Sequence, residues 1–182
     1  MNFECGISVC KDRIFGWKVL KRYFCGMKNF LLFLIFFLFT QNIFAQTIVA
    51  KVIGVKDGDT VVLLFENKPI TVRLEHIDCP EKNQPFGAKA KKFVSDFCFG
   101  KTVTLISNGK RDRNGSWIGE IFYNNQNLGK ELIRNGLAWH FKKYSKNQNF
   151  ADLEKIARTK KVGLWQEENP VEPWNWRNFR KI

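Results

Sequence analysis

Two acidic motifs, each at one end of an apolar run, constrain the fold of this chain more than any other feature. Asp57-Gly58-Asp59-Thr60 comes just before the continuous apolar run at residues 61–65. Asp78-Cys79-Pro80-Glu81 comes where a second run, residues 70–77, ends. Runs of this length and composition, bounded by Gly, Asp and Pro, are typical of β-strands. The sequence therefore predicts two strands with acidic residues at their ends.

The segment between the two runs predicts a hairpin. Asn67-Lys68-Pro69 is a turn signal, and a turn there would pair the second run with the first. Thr71-Val72-Arg73-Leu74 alternates polar and apolar residues, which leaves Arg73 on the sheet. Folding back would bring the two acidic motifs towards one end of the sheet. An arginine beside clustered carboxylates indicates a site for a metal and a phosphate.

The rest of the chain continues this pattern of short strands and adds helices. Further strands are predicted at residues 47–55, 101–106 and 117–123, and helices at residues 90–98, 128–134 and 150–160. The face of the last helix that we expect to point inward consists of Phe150, Leu153, Ile156 and Ala157. Five strands with an interposed helix predict a mainly β, α+β fold, a five-stranded Greek-key barrel of the oligonucleotide-binding (OB) type with about three helices.

The charge of the chain favours a polyanionic partner. Its 182 residues, enough for one domain and an extension, contain 30 Lys and Arg against 17 Asp and Glu, a net charge of +13. Residues 47–182 alone carry 24 basic and 15 acidic residues, a net charge of +9. The excess therefore belongs to the folded part. Nucleic acid or an anionic membrane are the partners that such a charge attracts.

The N-terminal region has the pattern of an export signal. Met27 and Lys28 precede an apolar run at residues 30–39, and a polar break leads to the small residue Ala45. The run is shorter than the roughly 20 residues that span a membrane. We interpret residues 27–45 as a signal peptide cut after Ala45, with no membrane insertion afterwards, and expect a periplasmic or extracellular protein. An uncleaved anchor is the alternative. We interpret residues 1–26 as an extension that results from a start codon assigned too far upstream, with translation beginning at Met27.

Cysteine positions leave two states open. Cys5, Cys10 and Cys25 lie in the N-terminal region, so only Cys79 and Cys98 belong to the predicted domain. Export would permit a disulfide between them, and two buried thiols are the alternative. Neither has a second cysteine or a histidine at zinc-ligand spacing, which excludes a structural zinc site.

Six short motifs, in a fixed order, connect the chain to a known family. They are Asp57-Gly58-Asp59-Thr60, Val72-Arg73-Leu74, Ile77-Asp78-Cys79-Pro80-Glu81, Pro85-Phe86-Gly87, Gly136-Leu137-Ala138 and Gly163-Leu164-Trp165. In this order they resemble the staphylococcal nuclease (thermonuclease) family over residues 48–165. The resemblance implies an OB-fold domain at residues 46–166, and residues 167–182 are then an extended, basic, Trp-containing tail.

The resemblance also implies a catalytic site. Family members hydrolyse DNA and RNA phosphodiesters with Ca²⁺, cutting the 5′ P–O bond. By the match, Asp59, Asp78 and the backbone carbonyl of Cys79 would hold Ca²⁺, with Thr60 lining the site. Hard oxygen ligands suit that ion. Arg73 would hold the scissile phosphate, and Glu81 would act as general base or orient the attacking water.

One expected residue is missing. The family carries a second catalytic arginine in a D-x-Y-G-R pattern, but the corresponding stretch here is Asp112-Arg113-Asn114-Gly115-Ser116. Ser116 cannot supply a charged, bidentate contact, which implies reduced activity. Arg113, in the same loop, is the candidate substitute. A degenerated, non-catalytic OB-fold protein that only binds nucleic acid is the alternative function.

A second cluster predicts where the substrate binds. Tyr144 matches a nucleotide-contacting tyrosine of the family, and Lys142 and Lys143 precede it. Aromatic faces beside lysines bind single strands by stacking and by phosphate neutralisation. We therefore expect DNA or RNA, with single strands favoured, as the partner of a monomeric protein. Trp139 and Phe141, close by, are either part of this surface or part of the core.

Overall fold

The computed structural model of the protein describes residues 46–179. The predicted extension at residues 1–26, the signal peptide at residues 27–45 and three of the five cysteines lie outside this range. Within residues 46–179, no helix combines the length and the apolar character needed to cross a lipid bilayer.

The described residues form eight strands and four α-helices. The strands are β1 (Gln46–Asp57), β2 (Thr60–Phe65), β3 (Lys68–Leu74), β4 (Ile77–Asp78), β5 (Thr102–Ser107), β6 (Trp117–Tyr123), β7 (Gln126–Asn127) and β8 (Trp139–His140). The helices are α1 (Gly87–Cys98), α2 (Leu128–Arg134), α3 (Gln148–Thr159) and α4 (Pro173–Phe179), and a 3₁₀ turn occupies Gly163–Gln166.

Five of these strands close into a barrel. The strand order is β3-β2-β1-β5-β6, and a parallel pairing of β3 with β6 joins the two edges. Val61, Val72 and Leu105 point inward and are fully buried, because apolar residues alternate along each strand. The predicted five-stranded OB-type barrel with additional helices is confirmed.

The hairpin between β2 and β3 turns earlier than its sequence predicts. Glu66 and Asn67 form the turn with positive φ angles of 49° and 59°, and β3 already begins at Lys68. Two residues of positive φ match the twist of a tight hairpin. Pro69 pairs with Leu64 at a point where β3 has no second neighbour, so its missing N–H disturbs no ladder. The predicted Asn67-Lys68-Pro69 turn is therefore wrong by about one residue.

Two predictions for the C-terminal part also need correction. Ile156, expected to point inward from α3, is 50% exposed, while Glu154 is buried and paired with Arg158 and Lys142. The basic partners allow this carboxylate to take an inward position. The tail at 167–182 is not extended throughout, because α4 forms within it. Pro173 suits the first position of that helix.

Cys79 and Cys98 are both buried and free. Burial raises the pKa of each thiol, that of Cys98 to about 11. The alternative of two buried thiols is therefore confirmed.

Candidate active site

The hairpin register brings the two acidic motifs together at one end of the barrel. Thr60, at the start of β2, pairs with Arg73, near the end of β3. Asp59 precedes Thr60, and Asp78 ends the short strand β4 that follows β3. Arg73 Nη2 donates to Asp59 Oδ2 at 3.0 Å and to Asp78 Oδ1 at 3.3 Å. One guanidinium group thus contacts both acidic motifs.

Both aspartates are buried, and burial affects the ionisation of Asp59. Burial raises the pKa of Asp59, the charge of Arg73 opposes this, and the nearby charge of Asp78 adds to it. The Thr60 hydroxyl donates to Asp59 Oδ1 at 2.8 Å, which favours the ionised form. A cation near these carboxylates would compensate their desolvation and mutual repulsion.

Two glycines allow the close approach of these segments. A Cβ on Gly58 would lie 2.8 Å from the Cβ of Ala90 and 2.9 Å from that of Cys79. A Cβ on Gly87 would lie 1.9 Å from the carbonyl oxygen of Glu81. Glycine at both positions lets the first acidic turn and the start of α1 pack directly on the second acidic motif.

Glu81 lies three residues after Asp78, at the beginning of the loop that leads to α1. Its backbone N–H donates to Gln84 Oε1 at 3.1 Å, which fixes the main chain, while its half-exposed side chain remains open to solvent. A carboxylate that is partly open to solvent can orient or deprotonate a water molecule.

Sequence reasoning missed one residue of the cluster, Arg177 on helix α4. Its Nη1 donates to Glu81 Oε1 at 2.6 Å, and its Nη2 donates to Asp78 Oδ2 at 2.5 Å. Burial lowers the pKa of Arg177, but hydrogen bonds and charge interactions with Asp78 and Glu81 outweigh this and raise it. The tail carries no motif or apolar period that would have pointed to this contact.

In the described residues, no side chain of the loop that holds Ser116 is hydrogen-bonded to Asp59, Asp78 or Glu81. Ser116 is buried, and its backbone N–H donates to Asp112 Oδ1 at 2.8 Å. Arg113 is exposed and lines a neighbouring groove. Within residues 46–179, the arginines hydrogen-bonded to Asp78 and Glu81 are Arg73 and Arg177, not Arg113. Arg113 as the substitute for the missing arginine therefore stays an untested prediction.

A groove of about 920 Å³ leads away from Arg177 along the predicted substrate-binding residues. Its lining includes Arg113, Lys142, Lys143, Tyr144, Trp174 and Arg177. Tyr144 is 73% exposed, whereas Trp139 is buried. Trp139 thus belongs to the core, and Phe141 stacks on Trp174 at a centroid distance of 5.3 Å.

The donor set of the acidic cluster fits a hard divalent cation. Asp59 and Asp78 both lie within 3.3 Å of one Arg73 nitrogen, so their oxygens are close together. In the described part of the chain, no group of three or more His, Cys, Asp or Glu side chains forms a metal centre by itself. Two carboxylates, together with the backbone carbonyl that the family resemblance assigns to Cys79 and with water molecules, would make an all-oxygen set of the kind that Ca²⁺ accepts.

Comparison with known proteins agrees with this geometry. The family described as Staphylococcal nuclease homologue matches residues 71–167. An uncharacterized endonuclease of Haemophilus influenzae is 41% identical over 133 residues, 72% of this chain and 74% of that protein. An uncharacterized endonuclease of Escherichia coli O157:H7 is 34% identical over 80% of this chain and 95% of its own length. A micrococcal nuclease of Shigella flexneri is 32% identical, covering 72% and 81% respectively. The chain therefore belongs to the staphylococcal nuclease family.

Proposed function

We propose that the protein is an exported, Ca²⁺-dependent nuclease that hydrolyses phosphodiester bonds in DNA, RNA or both, with single strands preferred. That it is a nuclease follows from its family and from its endonuclease and micrococcal nuclease relatives. The observation that carries the finer proposal is the cluster at one end of the barrel, in which Arg73 contacts Asp59 and Asp78, and Arg177 connects Asp78 with Glu81. A protein that only binds nucleic acid has no need of a water-activating carboxylate there.

The roles follow from the chemistry of the residues. Asp59, Asp78 and the carbonyl of Cys79 would hold Ca²⁺. When bound, Ca²⁺ supplies positive charge that stabilises the pentacovalent phosphate. Arg73 offers a planar fork that binds phosphate oxygens in a bidentate way. Glu81, whose backbone is held by Gln84 and whose carboxylate is partly open to solvent beside Arg177, would accept a proton from the attacking water.

The groove supports the proposed substrate. Exposed Tyr144 provides a face on which a base stacks, and Lys142 and Lys143 neutralise backbone phosphates. Stacking needs an unpaired base, which favours single strands. Residues 46–179 of one chain contain every side chain of the proposed site, so a monomer suffices. Export is inferred from residues 27–45 alone.

The expected rate depends on how many cationic groups contact the phosphate. Ser116 contributes none, which predicts a slower enzyme than one with two arginines unless another cation takes its place.

Cleavage of labelled single-stranded DNA and RNA, with Ca²⁺ or with a chelator, tests the proposal. We expect cleavage only with Ca²⁺, and Glu81→Gln should reduce the rate by about 10²–10⁴-fold. The control is Glu66→Gln, an exposed glutamate in the β2–β3 turn, which should cleave normally. Binding without cleavage would instead support the non-catalytic alternative, and cleavage in chelator would contradict the role of Ca²⁺.

A further inference from the structure

Helix α4 places a second guanidinium group inside the acidic cluster. Arg177 makes a two-pronged contact with Asp78, Nη1–Oδ1 at 3.3 Å and Nη2–Oδ2 at 2.5 Å, and Nη1 also contacts Glu81. The partners lie 99 and 96 residues earlier in the chain. A long-range, bidentate contact with two site residues distinguishes Arg177 from an ordinary surface arginine.

The helix is held in this position by aromatic packing and by a separate hydrogen bond. Trp174 stacks on Phe141 with an interplanar angle of 10° and packs edge-on against Trp139 at 5.9 Å. Gln84 Nε2 donates to the carbonyl of Val171 at 2.6 Å, just before α4. The same Gln84 side chain accepts the backbone N–H of Glu81. The tail and the loop that carries Glu81 are therefore fixed to each other.

Arg177 and Arg73 are arranged as a pair. Each donates to Asp78 Oδ1 at 3.3 Å, so the two guanidinium groups flank one buried carboxylate. Their side chains are 36% and 33% exposed, which leaves each a face open to solvent. Arg177 also lines the groove that contains Tyr144 and Lys143. A phosphate in the groove would reach the solvent-open face of Arg177, next to the carboxylate that Arg177 shares with Arg73.

Such a pair has a clear chemical use. Hydrolysis of a phosphodiester adds negative charge to the phosphate oxygens in the transition state, and a preorganised cation stabilises that charge. Ser116 supplies no cation, so Arg73 alone would provide a single guanidinium group for the phosphate. We propose that Arg177 is the second phosphate-binding arginine of this site, supplied by helix α4 in place of the cation absent at Ser116. This inference rests on the proposed function, because it takes the acidic cluster as the nuclease site.

Kinetics and binding of Arg177→Ala, made in the full chain, test the proposal. With Ca²⁺ and a single-stranded oligonucleotide, we expect kcat to fall by about 100-fold or more, with a much smaller change in KM. Arg177→Lys keeps the charge but loses the fork, and should remain well below the unmodified protein. Ser116→Arg, added to Arg177→Ala, should restore at least part of the lost rate.

A second readout does not depend on turnover. Binding of a hydrolysis-resistant phosphorothioate oligothymidylate in Ca²⁺ should weaken in Arg177→Ala, and the slope of log K against log salt should become shallower by about 0.7. Arg134→Ala removes an exposed arginine on α2 and is the matched control, expected to change neither quantity. Thermal unfolding of each variant verifies folding.

The outcomes separate this inference from the proposed function. If the unmodified protein cleaves nothing, the proposed function fails, and the salt slope still decides whether Arg177 contacts phosphate. Unchanged kcat and slope in Arg177→Ala would overturn the inference. A higher kcat in that variant would also overturn it, and would identify α4 as a plug that blocks the site.

Discussion

Arg177 donates hydrogen bonds to both carboxylate oxygens of Asp78, which lies 99 residues earlier in the sequence. The contact joins the C-terminal helix to the end of the barrel where the acidic motifs meet. Asp78 is nearly inaccessible to solvent, and buried carboxylates in proteins are normally paired with charged or hydrogen-bonding partners. The C-terminal segment is thus a structural part of the site.

Removing the aromatic anchor of α4 should release this contact. Trp174→Ala loses stacking on Phe141 and packing on Trp139, and we expect the free energy of unfolding to fall by about 1–2 kcal/mol. Nuclease activity should fall by more than that loss alone would cause, because Arg177 leaves the site. Urea unfolding and cleavage rates measure both effects. Val171→Ala, a change in the same segment that keeps the carbonyl bonded to Gln84, is the control and should resemble the unmodified protein.

A methyl group on Gly87 should disturb the loop of Glu81. The new Cβ would lie 1.9 Å from the Glu81 carbonyl oxygen, so the loop or the start of α1 must move. We expect Gly87→Ala to lower the free energy of unfolding by about 1–3 kcal/mol and to reduce cleavage. Gly54→Ala is matched, because its Cβ would meet Val62 at an ordinary 3.4 Å. Equal stability of the two variants in urea would contradict this account.

Glu120 on β6 should make stability depend on acid pH. His76 lowers the pKa of Glu120 below its ordinary value of 4.5, burial opposes this, and a hydrogen bond from Asn127 lowers it further. A depressed carboxylate pKa stabilises the fold above the unfolded-state pKa, and this stability disappears as the pH falls through the folded-state value. Glu120→Gln should therefore cost about 1 kcal/mol at pH 7, and the difference from the unmodified protein should shrink below pH 4.5. A difference that is constant from pH 7 to pH 3, in urea titrations, would show that Glu120 does not titrate in this way.

The two thiols of the barrel domain should be unreactive in the native state. Burial raises the pKa of Cys98 to about 11 and that of Cys79 well above its usual value, so the thiolate is scarce at pH 8. Alkylation with iodoacetamide, mapped by mass spectrometry, should label both only after unfolding. Rapid native labelling, or a disulfide between them, would disagree with the structure.

The acidic end of the barrel could be predicted from sequence because local rules determine it. A tight hairpin between two apolar strands fixes which residues face each other, and one register places Arg73 opposite Thr60 and near both aspartates. The one-residue error in the turn did not change this outcome, since the apolar alternation of β2 and β3 sets the register. The helices predicted at residues 90–98 and 128–134 likewise agree with α1 and α2 to within three residues.

The contacts that close the site could not be predicted in this way. The position of Arg177 depends on aromatic packing of Trp174 against Phe141 and on one hydrogen bond from Gln84, none of which has a local sequence signal. Glu154 replaces Ile156 on the buried side of α3 because Arg158 and Lys142 compensate its charge in three dimensions. In both cases contacts between distant segments determine where the side chain lies, and the residue pattern within one segment does not reveal them.

Thermal unfolding in increasing Ca²⁺ tests whether Asp59 and Asp78 hold Ca²⁺ beside two arginines. We expect Ca²⁺ to stabilise the protein by an amount that rises with the logarithm of its concentration above Kd and reaches about 2.7 kcal/mol at 100-fold above Kd. Asp59→Asn and Asp78→Asn should lose this response, while Asp96→Asn, on the exposed face of α1, should keep it. An unmodified protein that Ca²⁺ does not stabilise, or an Asp59→Asn variant that responds equally, would contradict the account.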